Sequence, residues 1–339
     1  MAESRIPSVI SMRFARLKNF VVSSPMLEGL MLRIVNLPGV NGVYKAAYGR
    51  HIAGVLNSQE KIITIEPYNV CNLRCVMCPY SKMKRKKEMM GMELFRKIVG
   101  EAKELGFKTA TLQMYSEPLM DPHLIERIEF VKSLGMKAGF FTNAMLLDEK
   151  MADRLLDSGL DFIKFSVDAG SKEDYDKIRI GGDWERVKNN IISFYKERQA
   201  RGMVKPRITV FMIKQQSNEK NIASHKAFWS EWSDDVNISA VDNRAEDKSH
   251  ELHGTAYPCF EPNHPTVLSN GRLVLCCLDY EGEVVLGDLK KHSLKEIMES
   301  EKYKHVTDLH TSFRGDRIKM CKNCTRLYRN AAFYWWLEG

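Results

Sequence analysis

The chain has 339 residues, of which 44% are hydrophobic and 28% are charged, and its formal net charge is +8 at pH 7. These values are ordinary for a globular protein with one large domain and a smaller module. No apolar run approaches the roughly 20 residues that a membrane-spanning helix needs. Basic residues also interrupt the amino-terminal segment, where a secretory signal would have its apolar core. These features argue against an integral membrane protein and predict a cytoplasmic location.

Part of the positive charge lies in the run 82–87, Lys-Met-Lys-Arg-Lys-Lys. A basic run is one feature of nucleic-acid-binding proteins. This run is short, however, and lacks the interleaved aromatic residues on which bases stack. We therefore interpret it as a solvated loop and expect no nucleic-acid partner.

Residues 1–58 have a helical, amphipathic pattern that Pro38-Gly39 interrupts. The pattern predicts an N-terminal helical extension packed on the main domain. Peripheral membrane contact is the alternative, because basic residues lie near the apolar positions.

From residue 61 onward, strand patterns alternate with helix patterns. The expected strands are 62–66, 108–114, 137–142, 162–167, 207–213 and 236–240, and the expected helices are 93–105, 123–134, 149–158, 184–198 and 219–232. Six consecutive strand–helix units predict a parallel sheet with right-handed crossovers. Because a closed barrel has eight such units, we expect an α/β fold with an open, partial (β/α)6 barrel over residues 59–245.

The alternation ends near residue 245. Residues 266–277 have the pattern of a hairpin that turns at Asn270-Gly271, and a helix is expected near 293–304. We therefore assign residues 246–339 to a small, cysteine-rich C-terminal module. The aromatic run 333–336 is interpreted as core or interface packing, with a substrate lid as the alternative.

The eight cysteines are the most informative feature of the sequence. In a reducing compartment such a set is typical of metal binding rather than of disulfides. Cys71, Cys75 and Cys78 directly follow the first expected strand, at the end where barrels carry their chemistry. Three thiolates bind three irons of a 4Fe–4S cluster and leave the fourth iron open for another ligand. A structural zinc site is the alternative, although it would want a fourth ligand close by.

The spacing Cys-x3-Cys-x2-Cys after a first strand resembles the signature of the radical S-adenosylmethionine (SAM) superfamily. Three further segments are similar to motifs of that family: Tyr-Ser-Glu-Pro at 115–118 to Gly-Gly-Glu-Pro, Thr-Asn-Ala at 142–144 to Thr-Asn-Gly, and Ser-Val-Asp-Ala-Gly at 166–170 to Ser-Φ-Asp-Gly. Each short motif is weak alone. Together they occur in order, each at the end of a successive strand, and this order supports the resemblance.

The resemblance implies that the chain reductively cleaves SAM to a 5′-deoxyadenosyl radical, which abstracts hydrogen from a substrate. It implies the cofactor-binding residues Met77, Ser116, Glu117, Thr142, Asn143, Ser166, Asp168 and Arg179. Among them, Met77 would contact the adenine through its backbone, Glu117 would hold the amino group of SAM, and Arg179 would hold its carboxylate. A flavodoxin- or ferredoxin-type protein is the implied reductant.

A second cysteine set resembles the SPASM/twitch extension of many radical SAM enzymes and implies an auxiliary 4Fe–4S cluster. Its implied ligands are Cys259, Cys276, Cys321 and Cys324. No cysteine follows Cys324, so the chain is similar to the shorter, single-cluster twitch form. Cys277 is an alternative to Cys276, because adjacent side chains on a strand point to opposite faces. Zinc is the alternative metal, since four thiolates suit it as well.

The spacing of this second set is similar to that of 2-deoxy-scyllo-inosamine dehydrogenases, which oxidise a cyclitol alcohol by a radical route. The resemblance implies an oxidoreductase for a small polar alcohol, an amino-sugar or a cyclitol, with the auxiliary cluster as electron acceptor. Arg244 lies where these dehydrogenases place an arginine near the substrate, and a surface arginine is the alternative. The rival hypotheses are a peptide-modifying maturase of the same superfamily and a non-catalytic zinc- or nucleic-acid-binding protein.

Overall fold

The computed structural model describes residues 37, 39–40, 42–43, 60–240, 259, 264–322 and 324. The predicted helical extension over 1–58 lies almost entirely outside these residues, and Arg244 and the aromatic run 333–336 lie outside them completely. The chain divides into two compact units, one of Glu60–Val241 and Glu261–Lys304 and the other of Met1–Gln59, Asp242–Phe260 and His305–Gly339. The domain boundaries at 58/59 and 245/246 remain predictions.

The first unit is built on one nine-stranded sheet. Its strands are β1 (Ile62–Ile65), β2 (Thr109–Leu112), β3 (Lys137–Thr142), β4 (Phe162–Ser166), β5 (Arg207–Lys214), β6 (Asp235–Ala240), β7 (Thr266–Val267), β8 (Arg272–Val274) and β9 (Val285–Asp288). They lie in the order β6-β5-β4-β3-β2-β1-β7-β8-β9. Strands β1 to β6 are parallel to their neighbours, which confirms the predicted α/β class and partial barrel.

Helices connect the parallel strands. The described residues form α1 (Met92–Glu104), α2 (Leu124–Ser133), α3 (Glu149–Asp157), α4 (Lys172–Ile178), α5 (Trp184–Ala200), α6 (Ile222–Trp229), α7 (Leu294–Glu299) and α8 (Glu301–Thr311). The five helices predicted between the strands are present with shifted ends. Helix α4 was not predicted, because its seven residues are too few to show a helical period. None of the helices in the described part of the chain is long and apolar enough to span a membrane.

The predicted C-terminal helix at 293–304 is two helices that meet at Ser300. A capping box begins α7, in which Ser293 and Glu296 each bond the backbone of the other. The Ser300 backbone is extended, with φ −64° and ψ 150°, and this conformation ends α7 before α8 begins.

Strand β4 shows how the sheet separates its two faces. Ile163 and Phe165 are fully buried, and the Phe165 ring packs edge-on against Phe194 of α5 at 5.9 Å. Because side chains alternate along a strand, Phe162, Lys164 and Ser166 point to the opposite face. We call this face, which points away from the helices, the inner face.

The predicted hairpin at 266–277 is formed by β7 and β8, which pair antiparallel. Its turn includes Gly271, whose φ of +83° favours glycine. Strand β7 pairs parallel with β1, with Thr64 N–H donating to Pro265 O at 2.9 Å and Glu66 N–H to Val267 O at 2.8 Å. The first part of the C-terminal cysteine-rich segment therefore extends the barrel sheet.

Candidate active site

The first cysteine group lies on the loop that follows β1, at the carboxyl end of the parallel strands. It consists of Cys71, Cys75 and Cys78, none of which forms a disulfide within the described part of the chain. Two backbone hydrogen bonds hold this loop against the end of α4: Arg74 N–H donates to Ile180 O at 2.9 Å, and Val76 N–H donates to Ile178 O at 3.0 Å. The predicted site is therefore one fixed loop carrying three thiols.

The electrostatics of this loop fit an iron–sulfur cluster. Burial, with smaller contributions from the charges of Glu117, Cys75 and Cys78, raises the pKa of the Cys71 thiol to about 12, although a hydrogen bond from Leu73 N–H opposes the rise. Such a thiol gives up its proton readily only when a cation takes its place. Soft thiolates on one loop, three in number, are the donor set of a 4Fe–4S cluster with one open iron.

Glu117 is fully buried and joins the second motif to the third. Its Oε1 accepts hydrogen bonds from Thr142 Oγ1 at 2.6 Å and from Leu119 N–H at 3.0 Å, and its Oε2 accepts one from Asn143 N–H at 2.7 Å. Its own N–H donates to Val70 O, next to the cysteine loop, at 2.7 Å. Burial raises the pKa of Glu117, and the hydrogen bonds from Asn143 and Thr142 oppose that rise. The predicted residues 117, 142 and 143 therefore lie together.

The third motif also contacts the cysteine loop. Asn143 Nδ2 donates to Asn72 Oδ1 at 2.8 Å. Ala144, which stands at the family's glycine position, has a φ of +60°, in the left-handed region that glycine adopts most easily. Its N–H donates to Thr142 Oγ1 at 3.0 Å, and this bond helps to hold the strained turn.

The fourth motif supplies a buried ion pair beside the cluster loop. Arg179 Nη2 lies 2.5 Å from Asp168 Oδ2, and Arg179 Nη1 donates to Cys75 Sγ at 3.5 Å. Asp168 Oδ1 accepts from Ile213 N–H at 2.6 Å. Burial alone would lower the pKa of Arg179, but the charges of Asp168 and Cys75 raise it above its usual value. The contact between Arg179 and Cys75 was not predicted, because 104 residues separate them in sequence.

Three further predicted cofactor-binding residues lie around the same loop and strand ends. Ser116 Oγ is buried and finds no hydrogen-bond partner within the described part of the chain. An orphaned buried hydroxyl on this motif fits a polar ligand such as SAM, because such groups are costly when left unpaired. Ser166 ends β4 on the inner face, and Met77 lies half-buried between two of the cysteines. Their contacts to SAM remain predictions.

One basic residue of the run 82–87 is not solvated. Arg85 is buried against Glu66, the residue directly after β1, with Nη2 at 2.9 and 2.8 Å from its two carboxylate oxygens. Ser269 N–H also donates to Glu66 at 3.2 Å, and Arg85 Nε donates to the carbonyl oxygen of Tyr280. The interpretation as a solvated loop holds for the four lysines, which are exposed, and does not hold for Arg85.

The second cysteine set is divided between the two compact units. Cys276 and Cys277 belong to the first unit, where Cys276 is buried and Cys277 is half-buried; Cys259, Cys321 and Cys324 belong to the second. In the second unit, His310 Nε2 lies 3.7 Å from Cys321 Sγ. Burial lowers the pKa of His310 to about 4, so the ring is neutral. No sequence motif pointed to His310, and the auxiliary ligand set remains a prediction.

Two known domain families match the chain. The radical SAM superfamily matches residues 65–212, and an iron–sulfur cluster-binding domain, SPASM, matches residues 259–325. Together these matches span more than half of the sequence. The chain contains a radical SAM domain and a SPASM domain. The cofactors of this radical SAM protein are accordingly 4Fe–4S clusters and SAM.

Each individual relative matches a shorter part of the chain than the two domain families together. An uncharacterized protein from Methanocaldococcus jannaschii is 39% identical over 130 residues, which are 38% of this chain and 41% of that protein. The chain thus spans about two fifths of the length of the curated relatives it matches.

Solved structures share the fold. The crystal structure of BtrN in complex with AdoMet and 2-DOIA is 19% identical, with a TM-score of 0.54 over 79% of this chain and 93% of BtrN. That of SuiB from Streptococcus suis bound to precursor peptide SuiA is 15% identical, with a TM-score of 0.61 over 82% of this chain and 73% of SuiB.

Proposed function

We propose that this radical SAM enzyme is an oxidoreductase that oxidises a small polar alcohol, an amino-sugar or a cyclitol. The second cysteine set carries the proposal, because its spacing resembles that of the 2-deoxy-scyllo-inosamine dehydrogenases. The fold shared with BtrN, whose crystal structure contains 2-DOIA, supports it. The cysteine usage also supports a reducing compartment, the cytoplasm.

Oxidation of an alcohol to a ketone removes a hydrogen atom, a proton and an electron from the substrate. When bound, SAM and the two clusters supply a 5′-deoxyadenosyl radical that takes the hydrogen atom and an acceptor that takes the electron. The chain itself binds and orients these groups. In this proposal Cys71, Cys75 and Cys78 bind one cluster, and the other cysteine set binds the auxiliary one.

Several residues position the reacting groups in this proposal. Glu117 fixes the segment 142–143 against the cluster loop, and Arg179 fixes Cys75. Ser116, Ser166 and Asp168 contribute polar contacts to SAM, Met77 contributes its backbone, and Arg244 contacts the substrate.

Aromatic side chains on the inner face limit the access of water. The rings of Phe141 and Phe211 pack edge-on at 5.3 Å on either side of β4. In register, Phe211 pairs with Ser166 and Phe141 pairs with Lys164. An apolar wall beside a residue of the SAM motif protects a radical reaction from side reactions.

The decisive assay is anaerobic reconstitution with iron and sulfide, followed by dithionite, SAM and a panel of amino-sugars and cyclitols. We expect about eight irons per chain, counting four per cluster. We also expect one ketone per 5′-deoxyadenosine formed with a substrate. Formation of 5′-deoxyadenosine without a ketone from any member of the panel would contradict the oxidation of such an alcohol.

A peptide-modifying maturase is the second candidate, favoured by the fold shared with SuiB bound to its precursor peptide. A peptide substrate would leave the alcohol panel unreacted and would be detected by mass spectrometry of candidate peptides. In the cell a flavodoxin- or ferredoxin-type protein would replace dithionite. The radical SAM domain favours both of these candidates over the non-catalytic zinc- or nucleic-acid-binding protein.

A further inference from the structure

The inner face of β4 carries a lysine that the cluster and SAM motifs do not use. Lys164 lies in the middle of β4 and points to the inner face, since its neighbours Ile163 and Phe165 are fully buried on the helix side. It precedes Ser166, a residue of the SAM motif, by two positions. A strand rises about 3.3 Å per residue, so Lys164 lies about 7 Å from Ser166 along the same face.

Two aromatic rings lie near the Lys164 ammonium group. Its Nζ lies 4.9 Å from the centre of the Phe141 ring and 5.8 Å from that of Phe162. Gly139 makes room for the Phe162 ring, because a Cβ atom at Gly139 would lie 2.3 Å from it. Lys164 therefore lies among tightly packed residues of its own strand β4 and of the neighbouring strand β3.

The charge of Lys164 is poorly compensated. Among the described residues its ammonium group makes neither a hydrogen bond nor an ion pair within 4 Å. Burial lowers the pKa of Lys164, and only Asp235 opposes this effect. The Asp235 side chain is 49% exposed and itself lies 4.0 Å from Arg207. Aromatic faces attract a cation but supply no counter-charge, and a partly buried cation without an anion is costly.

We propose that Lys164 binds an anionic group, a carboxylate or a phosphate, of the substrate. The inference rests on the proposed function and narrows the class of substrate. The substrate is then an acidic sugar or cyclitol derivative, whose anion binds Lys164 on the inner face of β4. An amino-sugar is disfavoured, because its ammonium group would repel that of Lys164.

The test measures the binding of two probes, inorganic phosphate and acetate, to the full-length reconstituted protein with SAM. The variants are Lys164→Met, which keeps the length of the side chain, and Lys164→Arg, which keeps the charge. Lys137→Met is the matched control, because Lys137 lies on the neighbouring β3 but is 55% exposed and paired with Glu60.

We expect the wild type to bind at least one of the anions, and Lys164→Met to bind it at least tenfold more weakly. Affinity should stay within threefold in Lys164→Arg and in the control. The anion that binds more tightly distinguishes a phosphate from a carboxylate substrate. Equal affinity in Lys164→Met, or no binding by the wild type, would overturn the proposal.

Two measurements on the same preparations keep the result unambiguous. Iron content and circular dichroism equal to those of the wild type show that Lys164→Met has folded. The 5′-deoxyadenosine yield of the wild type tests the radical chemistry separately. If the wild type cleaves SAM but shows no Lys164-dependent anion binding, only the inference about Lys164 fails. If it does not cleave SAM, the proposed function fails whatever the anions do.

Discussion

The two cysteine sets of this chain occupy different surroundings. The first lies on one short loop inside one compact unit, where Arg179 donates a hydrogen bond to Cys75 and the charge of Glu117 raises the pKa of Cys71. The second set is spread over two units, and the neighbour of Cys321 is a neutral imidazole, His310. The first set is positioned by backbone hydrogen bonds between its loop and the residues around the end of α4.

This difference fits two separate roles, SAM binding at the first set and electron exchange at the second. A loop fixed by Glu117, Asn72 and Asn143 can hold three thiolates while leaving an open iron for SAM, because its geometry does not depend on a fourth protein ligand. In the proposed function the second set supplies four thiolates, which would close the auxiliary cluster and leave it to exchange electrons without binding a ligand. Substitutions in each set separate these two roles.

The largest effect is expected from Cys75→Ala. Two thiolates do not hold the radical SAM cluster, so 5′-deoxyadenosine formation should disappear and iron should fall from about eight to about four per chain. The measurements are iron analysis and chromatography of the reaction with SAM and dithionite. Lys137→Met, at an exposed position outside both cysteine sets, is the control and should keep about eight irons. If Cys75→Ala still cleaves SAM, the first set is not the catalytic cluster site.

Cys321→Ala should separate the two roles. Iron should again fall to about four per chain, but 5′-deoxyadenosine should still form from SAM, because the first set lies on its own loop. Product formation from the substrate should be lost. If both activities stay at the wild-type level, the second set has no part in the reaction.

Glu117→Ala should lower the free energy of unfolding of the first compact unit by about 3 kcal/mol. The reason is that Thr142, Leu119 and Asn143 lose a buried hydrogen-bond acceptor. Chemical unfolding under anaerobic conditions measures this loss. Glu126→Ala is the matched control: its ion pair with Arg96 is exposed, so it should change stability by at most about 1 kcal/mol. Equal effects of the two substitutions would show that Glu117 does not fix the motif.

Much of this fold could be predicted from the sequence, because its signals are local. Alternating strand and helix patterns predicted β1 to β6, and the spacing of Cys71, Cys75 and Cys78 predicted the cluster loop. The pairing of β7 with β1 was not predicted, because each strand's own pattern says nothing about a distant partner.

The contacts of the site were harder to predict for the same reason. Arg179 could be assigned to a motif, but its contact with Cys75 arises only in the folded chain. Arg85 appeared to belong to a solvated run, and only the fold places it against Glu66. The alternation of apolar and other residues along β4 was visible in the sequence. A lysine within a strand is usually solvated, however, so the sequence did not mark Lys164 as a candidate binding residue.

The smallest effect is expected at His310, and it tests the contrast between the two sets directly. A neutral ring whose Nε2 carries the proton would donate to Cys321 Sγ, and hydrogen bonds to cluster sulfurs raise the reduction potential. His310→Phe should therefore lower the potential of the auxiliary cluster. The measurement is a redox titration followed by EPR, in a background with Cys71, Cys75 and Cys78 replaced by alanine, so that only the auxiliary cluster gives a signal. His292→Phe, at an exposed position, is the control and should leave the potential unchanged. An unchanged potential in His310→Phe would mean that the imidazole only packs against Cys321, and the second set would then lack the polar support that Arg179 gives the first.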